Sequence, residues 1–312
     1  MNLASAFPAT NCVSRAIAAT LVLVGLAFPP PMRAAQATPS SSPIAGQILA
    51  ETTVASLPPS PSVVAFARLT LAKDVVLTDI SVPGPELIAV ESGVLHVVVA
   101  GEEDEAEEVE ERVRRGGTPV AEAVATPSSG GFAFTLAPGD SIYVPGDVAH
   151  TIRNPGQSQA IFLAAAVTPQ PASGVAASWP PGTANKLPRG VTIEPLDVGY
   201  ATATSTTVPA RFAINRLVGV TGKIMPRQQA SGPELFVVED GTLDIEVAEG
   251  TVVTRSSGSV NPQTTEANES AAPLAVQTTA GGAVLVQPGT IATLRSGASG
   301  PLTALIVTVL LA

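Results

Sequence analysis

Apolar and polar residues alternate in short segments along much of the chain, with the two-residue period of β-strands. In the second half, Leu243, Ile245 and Val247 are separated by acidic residues, so that one face of the segment is apolar. Similar runs rich in Val, Ile, Leu and Thr end at Gly, Pro and Ser, which are typical of turns. The pattern predicts an all-β protein with many turns.

One segment has a helical pattern instead. Residues Glu102–Arg115 begin with acidic residues, end with arginines and carry Glu–Arg pairs four residues apart, which predicts a short exposed helix. The second half has Thr254–Ser270 at the corresponding place, and this segment is rich in Ser and Thr. We expect it to be a polar loop.

The two halves of the chain repeat each other. "GPELIAVESGVLHVVV" (Gly84–Val99) recurs as "GPELFVVEDGTLDIEV" (Gly232–Val247), 148 residues later. Two further matches have the same order: "GDSIYVPG" (Gly139–Gly146) with "GAVLVQPG" (Gly282–Gly289), 143 residues later, and "ARLTL" at Ala67 with "ARFAI" at Ala210. Two copies in one internal order predict a duplicated domain. Hairpin turns at Gly93 and Gly241 and Pro-Gly corners predict a jelly roll or small antiparallel barrel for each copy.

The N-terminal 37 residues have the composition of an export signal. Arg15 precedes an apolar run, Ala16–Phe28, which is shorter than the roughly 20 residues that span a bilayer. Ala35-Gln36-Ala37 is a small-x-small cleavage site, and an uncleaved anchor is the alternative. The remaining boundaries are a Pro/Ser linker at 38–47, a first domain at 48–170, a linker at 171–189 and a second domain at 190–312.

Charge and cysteine content restrict the partners and the compartment. The formal net charge is −10, which argues against binding to nucleic acid. The single cysteine, Cys12, lies before the apolar run, so cleavage leaves a chain without thiols. We therefore expect an acidic protein that is secreted, cell-surface or periplasmic, and that is not an integral membrane protein once the signal is removed.

Both copies resemble cupin domains. Glu86 with Gly93, and Glu234 with Gly241, have the glutamate–glycine spacing of the first cupin motif. Residues that match the second motif are Gly139, Pro145, His150 and Asn154 in the first copy, and Gly282 and Pro288 in the second. The resemblance implies a bicupin, with two tandem cupin-like antiparallel β-barrels (double-stranded β-helix or jelly roll) after the signal peptide. It also implies that Glu86 overlies Glu234 and that Pro145 overlies Pro288.

Most of the histidines that hold a metal in many cupins are missing. The first-motif pair would fall at Ile80 and Val82 or at Asp79 and Ser81, and in the second copy at Gln228 and Ala230 or at Arg227 and Gln229. The second-motif histidine is His150, and its counterpart is Thr293, or Ala292 if one residue is deleted. The other histidine, His96, falls on the polar face of its strand. The first copy thus offers Glu86 and His150, and at best Asp79, which is short of the ligand sets of iron, manganese and zinc sites.

These residues favour an exported cupin-domain protein that is not an enzyme, with a barrel that is filled by side chains or binds a small ligand. Glu86, His150 and Glu234 are the candidate ligand-binding or barrel-lining residues, and no cofactor is expected. The alternative is a metal-dependent cupin enzyme, an oxygenase, decarboxylase or isomerase, in which Glu86 and His150 hold a divalent metal weakly. A third hypothesis is a surface or adhesion module. A small-molecule ligand and a homo-oligomer are the partners left open.

Overall fold

Antiparallel β-strands make up the described part of the chain. The computed structural model describes residues 44–55, 57–59, 61–100, 113–115, 118–119, 126–128, 131–170, 187–201, 209–256, 263–267, 273–298 and 300–311. Within these ranges the regular elements are strands, and no helix there is long and apolar enough to cross a membrane. The predicted signal peptide and most of both predicted linkers lie outside the described residues.

The first half contains thirteen described strands. They are β1 (Ile44–Val54), β2 (Ser62–Leu71), β3 (Val76–Ile80), β4 (Glu86–Ser92), β5 (Leu95–Val99), β6 (Arg114–Arg115), β7 (Thr118–Pro119), β8 (Thr126–Ser128), β9 (Gly131–Leu136), β10 (Asp140–Val144), β11 (His150–Arg153), β12 (Ala160–Pro169) and β13 (Val191–Ala201). A seven-stranded sheet has the order β13-β2-β12-β4-β10-β6-β7, and a five-stranded sheet has the order β3-β11-β5-β9-β8. These two sheets enclose the first barrel.

The second half contains nine described strands in one curled sheet. They are β14 (Ala210–Gly219), β15 (Ile224–Gln229), β16 (Glu234–Asp240), β17 (Thr242–Arg255), β18 (Gln263–Ala267), β19 (Leu274–Thr279), β20 (Ala283–Val286), β21 (Ile291–Ser296) and β22 (Leu302–Leu311). The sheet has the order β1-β14-β22-β16-β20-β17-β21-β15, with β18 and β19 paired to β17. The predicted all-β, antiparallel jelly-roll fold is confirmed. Gly93 and Gly241 have φ of 78° and 79°, as their hairpin turns require.

Three apolar clusters form the core, because the central strands are buried on both faces. On β4, Ile88 and Val90 face the interior of the first barrel, while Leu87 and Ala89 face a layer between the barrels. The second barrel has its own interior, which includes Phe236. The side chains of these strands alternate between two buried environments, which explains their nearly continuous apolar sequence.

The two halves exchange strands at their N-terminal ends. β1 precedes the first barrel in sequence but pairs along its length with β14 of the second. β13 precedes the second barrel and pairs with β2 of the first. The predicted boundaries at 48–170 and 190–312 stay predictions, but sheet membership crosses both of them. Separating the halves would therefore break two complete ladders of backbone hydrogen bonds.

Four charged side chains form a cluster that joins the barrels, and they come in two equivalent pairs. The Arg68 Nε donates to Glu91 at 2.6 Å, and the Arg216 Nη2 donates to the same carboxylate at 2.5 Å. Glu239 accepts from Arg68 and, at 3.3 Å, from Arg216. Each glutamate thus binds one arginine of its own copy and one of the other copy. We call these four residues the inter-barrel ion cluster.

Burial and charge act in opposite directions on this cluster. Burial alone would lower the pKa of Arg68, but its hydrogen bonds to Glu91 and Glu239 outweigh burial and raise the pKa above its usual value. Burial alone would raise the pKa of Glu91, and the hydrogen bonds and charges of Arg68 and then Arg216 lower it instead. Arg68 and Glu91 are therefore held in their charged forms at neutral pH.

Strand registers correct two of the sequence matches. Val144 pairs with Glu86 and Val286 pairs with Glu234, so the second motif recurs after 142 residues rather than 143. Glu86 and Glu234 are equivalent, as predicted, but the prediction that Pro145 overlies Pro288 is wrong by one residue, since Gln287 takes that place. The match of "ARLTL" with "ARFAI" is also wrong. Ala65 and Ala213 occupy equivalent positions, which makes Arg68 the counterpart of Arg216.

Two predictions of local structure also change. Residues 102–112 of the predicted helix lie outside the described residues, and its last two residues, Arg114–Arg115, form strand β6 against β10. Within the predicted loop Thr254–Ser270, Gln263–Ala267 forms β18 and pairs with the end of β17. Threonine favours extended backbone and a hairpin satisfies its polar groups, so the polar composition did not prevent a strand.

The inter-barrel ion cluster predicts a measurable contribution to stability. We expect Glu91→Gln and Glu239→Gln each to lower the free energy of unfolding by about 1–2 kcal/mol, because each leaves two half-buried arginines with one carboxylate. Urea unfolding measures the change. The matched control is Arg211→Gln, which removes the more exposed ion pair of Arg211 with Glu51 and is expected to cost less than about 0.5 kcal/mol. Equal losses in all three variants would contradict a special role for the cluster.

Candidate functional site

Glu86 is the first residue of β4, and its side chain points into the first barrel. The turn before it runs through Gly84, where an added Cβ would lie 1.9 Å from the Val167 carbonyl oxygen. Glycine therefore allows β4 to start close against β12. The side chain of Glu86 is 2 % exposed, although a carboxyl group is seldom buried to this degree without a charged partner.

His150, the first residue of β11, brings the only described partner for this carboxyl group. Backbone pairing with Ile80 and Val99 directs its ring into the same interior. The His150 Nε2 lies 3.4 Å from the Glu86 Oε2, and the His150 Nδ1 lies 3.3 Å from the Val148 carbonyl oxygen. Within the described residues, neither Nε2 nor Oε2 has a hydrogen-bond partner, so the two atoms are neighbours without an aligned hydrogen bond. The structure thus brings together the two residues of the first copy that the sequence selected.

Burial favours the neutral form of both groups. It raises the pKa of Glu86 to about 8. It also lowers the pKa of His150 to about 4, although the hydrogen bond to Val148 acts in the opposite direction. We assign a neutral pair at pH 7, in which Nδ1–H donates to the Val148 carbonyl and the carboxyl proton faces Nε2. In this form neither of the two unpartnered buried atoms carries a charge, which an apolar core would disfavour.

The positions from which further metal ligands would have to come do not supply them. Ile80 and Val82 are buried in the core cluster of the first barrel. Asp79 is exposed, with a φ of 53°. His96 is partly exposed on β5 and alternates with the buried Leu95 and Val97, so it faces away from the interior.

The donor set does not fit a resident transition metal. The described residues contain no group of three or more His, Cys, Asp or Glu side chains placed to hold an ion. A metal between Glu86 and His150 would have two protein ligands, and it would need water at its other positions within an apolar core. The geometry is instead that of two buried polar side chains in direct contact.

The second barrel has a small cavity at the equivalent place. Ala292 pairs with Gln228 and Val247, as His150 pairs with Ile80 and Val99, so the counterpart of His150 is Ala292 rather than Thr293. Without the imidazole a cavity of about 20 Å³ remains, lined in part by Glu234, Ala292 and Thr290. This volume is enough for about one water molecule. Partial burial raises the pKa of Glu234, whose side chain lines the cavity.

Asn154, the last residue of the second cupin motif, has a structural role. Its side-chain amide donates to the carbonyl oxygens of Leu71 and Ser158 at 3.0 and 2.8 Å. Its Oδ1 accepts from the Gly156 backbone N–H at 2.9 Å. The motif residue therefore ties the β11–β12 turn to the end of β2, away from the Glu86–His150 pair.

Sequence reasoning missed the arginines of the inter-barrel ion cluster. Arg68 and Arg216 are 148 residues apart, as are Glu91 and Glu239, so the offset of the first motif relates both pairs. Extending that offset upstream would have found them.

Comparisons with known proteins agree with the fold. The cupin family model matches residues 33–203, which is more than half of the chain. The chain therefore belongs to the cupin family. No curated protein sequence matches it.

The solved structures that the chain matches come from several kinds of protein, at low sequence identity. AerE from Microcystis aeruginosa is 12 % identical, with 85 % of this chain and 99 % of that chain covered and a TM-score of 0.40. The 11S allergen from Cocos nucifera is 11 % identical, with coverage of 84 % and 89 % and a TM-score of 0.43. An oxalate decarboxylase from Bacillus subtilis is 11 % identical, with coverage of 80 % and 69 % and a TM-score of 0.42.

The neutral Glu86–His150 pair predicts a specific pH dependence of stability. The pKa of Glu86 in the folded protein is above its usual 4.5. Its contribution to the free energy of unfolding is therefore present at low pH and is lost as the pH rises from about 4.5 to 8. The folded pKa of His150 is below its usual 6.5, so its contribution is lost as the pH falls from about 6.5 to 4. The two slopes cancel between pH 4.5 and 6.5. Above pH 6.5 the free energy of unfolding should fall by roughly 2 kcal/mol up to pH 8.

Glu86→Gln separates the two contributions. Glutamine keeps the shape of the side chain, can donate to Nε2 and does not titrate. We expect this variant to lose the decline between pH 6.5 and 8 and to lose stability from pH 6.5 down to 4. Urea unfolding at pH 5, 6.5 and 8 measures both slopes, with Glu246→Gln, at an exposed glutamate on β17, as the matched control. A decline above pH 6.5 that persists in Glu86→Gln would exclude the neutral pair.

Proposed function

We propose that this cupin is a non-catalytic, exported protein whose barrels serve as a stable scaffold rather than as reaction chambers. One observation carries the proposal. Ile80 and Val82 occupy positions at which a metal-binding barrel of this family would present histidines, and they pack into the apolar core beside Glu86 and His150. The first barrel is therefore filled by its own side chains at the place where a substrate and a metal would have to meet.

The second barrel supports the same proposal. Its cavity of about 20 Å³ is far below the several hundred Å³ that small-molecule substrates usually occupy. Glu234 is the one acidic side chain that lines it, beside Gln228, Thr290 and Ala292. A carboxyl group without an imidazole or a second acid has no partner for general acid–base catalysis there. Water is the occupant that fits this space.

Metal analysis tests the proposal. We expect the purified mature protein to carry well under one equivalent of iron, manganese, zinc or copper after growth in medium supplemented with these metals. We also expect chelators to leave its melting temperature unchanged, because no metal would contribute to the folded state. Elemental analysis and thermal unfolding with and without EDTA give the two readouts.

Two sets of variants sharpen this test. One tightly bound equivalent that disappears in His150→Ala but persists in His96→Ala, together with a lower melting temperature, would overturn the proposal and support the metal-dependent enzyme. Conversely, the double replacement of Ile80 and Val82 by histidine would add the missing donors beside Glu86 and His150. We expect that variant to gain metal binding, which would show that ligand identity, rather than barrel geometry, limits the natural chain.

Export is the second part of the proposal, and it rests on the N-terminal sequence. When the full chain is expressed in a secreting host, we expect it outside the cytoplasm with an intact mass that corresponds to a start at Thr38. Ala37→Leu places a larger side chain at the cleavage position and is expected to remain uncleaved. Wild-type protein that is exported with residues 1–37 still attached would support the uncleaved anchor.

A further inference from the structure

A surface groove beside the first barrel is lined largely by prolines. It has a volume of about 460 Å³, within the usual range for small-molecule sites. The groove lies between the chain after β1, the turn before β4 and the turn between β10 and β11, and Tyr143 is one of its buried lining residues. It is separate from the space that contains Glu86 and His150, neither of which lines it.

The groove is poor in hydrogen-bond donors. Six of its twelve lining residues are prolines, which have no backbone N–H. The N–H groups of Gly84 and Asp147 both donate to the Val82 carbonyl, at 2.8 and 2.7 Å. Eight of the twelve residues therefore have no backbone donor to offer, and the polar groups of the groove are mainly acceptors.

Asp147 gives the groove a charge. Among the described lining residues it is the one with an acidic side chain, and none of these residues is a lysine, arginine or histidine. The residue is exposed and has a φ of 63°. Its counterpart in the second copy is Gly289, with a φ of 81°, whose N–H donates to Ala230 as that of Asp147 donates to Val82.

This comparison shows that the turn itself does not require an aspartate. Glycine adopts a positive φ without steric cost, whereas a residue with a Cβ is strained there. In the first copy the turn nevertheless carries an acidic side chain, at the edge of a groove lined largely by prolines. A carboxylate in this position attracts a cation, and proline rings offer apolar contact to the body of the same molecule.

We propose that this groove binds a small organic cation, with an ammonium group against the Asp147 carboxylate and an apolar body against the prolines. Anionic ligands would meet the carboxylate and an excess of acceptors. Neutral polar ligands would find few donors. The net charge of −10 for the whole chain further favours the approach of a cation.

Binding of 2-phenylethylamine to the mature protein tests the proposal. We expect saturable binding by isothermal titration calorimetry that weakens as sodium chloride increases from 50 to 500 mM, because the contact is electrostatic and partly exposed. Two probes with similar bodies serve as controls, 2-phenylethanol without a charge and 3-phenylpropanoate with the opposite charge. Both are expected to bind at least tenfold more weakly than the amine.

Variants of Asp147 locate the site. Asp147→Asn keeps the size and the tolerance of positive φ, and Asp147→Gly reproduces the residue of the second copy, so both are expected to fold normally. Each should weaken amine binding at least tenfold. The matched control is Asp74→Asn, at another exposed aspartate with a φ of 62°, which should leave binding unchanged. The proposal is overturned if the amine does not bind, if the alcohol binds equally well, or if the Asp147 variants bind like the wild type.

Discussion

The apolar layer between the two barrels is the contact on which the rest of the architecture depends. Phe66 and Leu87 of the first barrel meet Phe212 and Leu235 of the second in one buried cluster. Either half alone would expose a large apolar sheet face to water, which is strongly unfavourable. The exchange of β1 and β13 adds backbone pairing to this layer, so the described residues of both halves belong to a single compact unit.

The inter-barrel ion cluster determines how the two barrels align across that apolar layer. It contributes less to the stability of the layer than the apolar contacts do. Apolar contacts are tolerant of small shifts, but a charged cluster is not. Any shifted alignment would separate the arginines from the glutamates or place like charges together. The equivalence of Arg68 with Arg216 and of Glu91 with Glu239 means that the duplication supplied both halves of the cluster at once. A second contact of this kind, between Arg255 on β17 and Asp197 on β13, fixes the exchanged strand against the opposite barrel.

The two barrels share a backbone fold but differ in the polar side chains of their interiors. The first barrel keeps a glutamate and a histidine in contact, and a neutral pair is the form that an apolar core can accommodate. The second barrel keeps the glutamate but has alanine in place of the histidine, and the volume of the missing ring remains as a cavity. Similarly, the turn after β10 carries Asp147 where the turn after β20 has Gly289. At both of these places the two halves share the backbone conformation and differ by a single side chain.

Sequence patterns alone determined the strand content, the duplication and the equivalence of Glu86 with Glu234, because period-two alternation and repeated motifs are local properties of the chain. They also selected Glu86 and His150, since the spacing of a family motif survives without its structure. The sequence misplaced Pro288 by one position, because a one-residue difference between loops shows only in the register of paired strands. The sequence could not show that β1 pairs with β14 of the second barrel and β13 with β2 of the first. The residues of a strand do not indicate which sheet the strand joins. The protonation state of the Glu86–His150 pair and the position of Asp147 at the edge of a groove depend on the tertiary structure. Only the tertiary structure brings residues that are distant in sequence together and determines which of them lose contact with water.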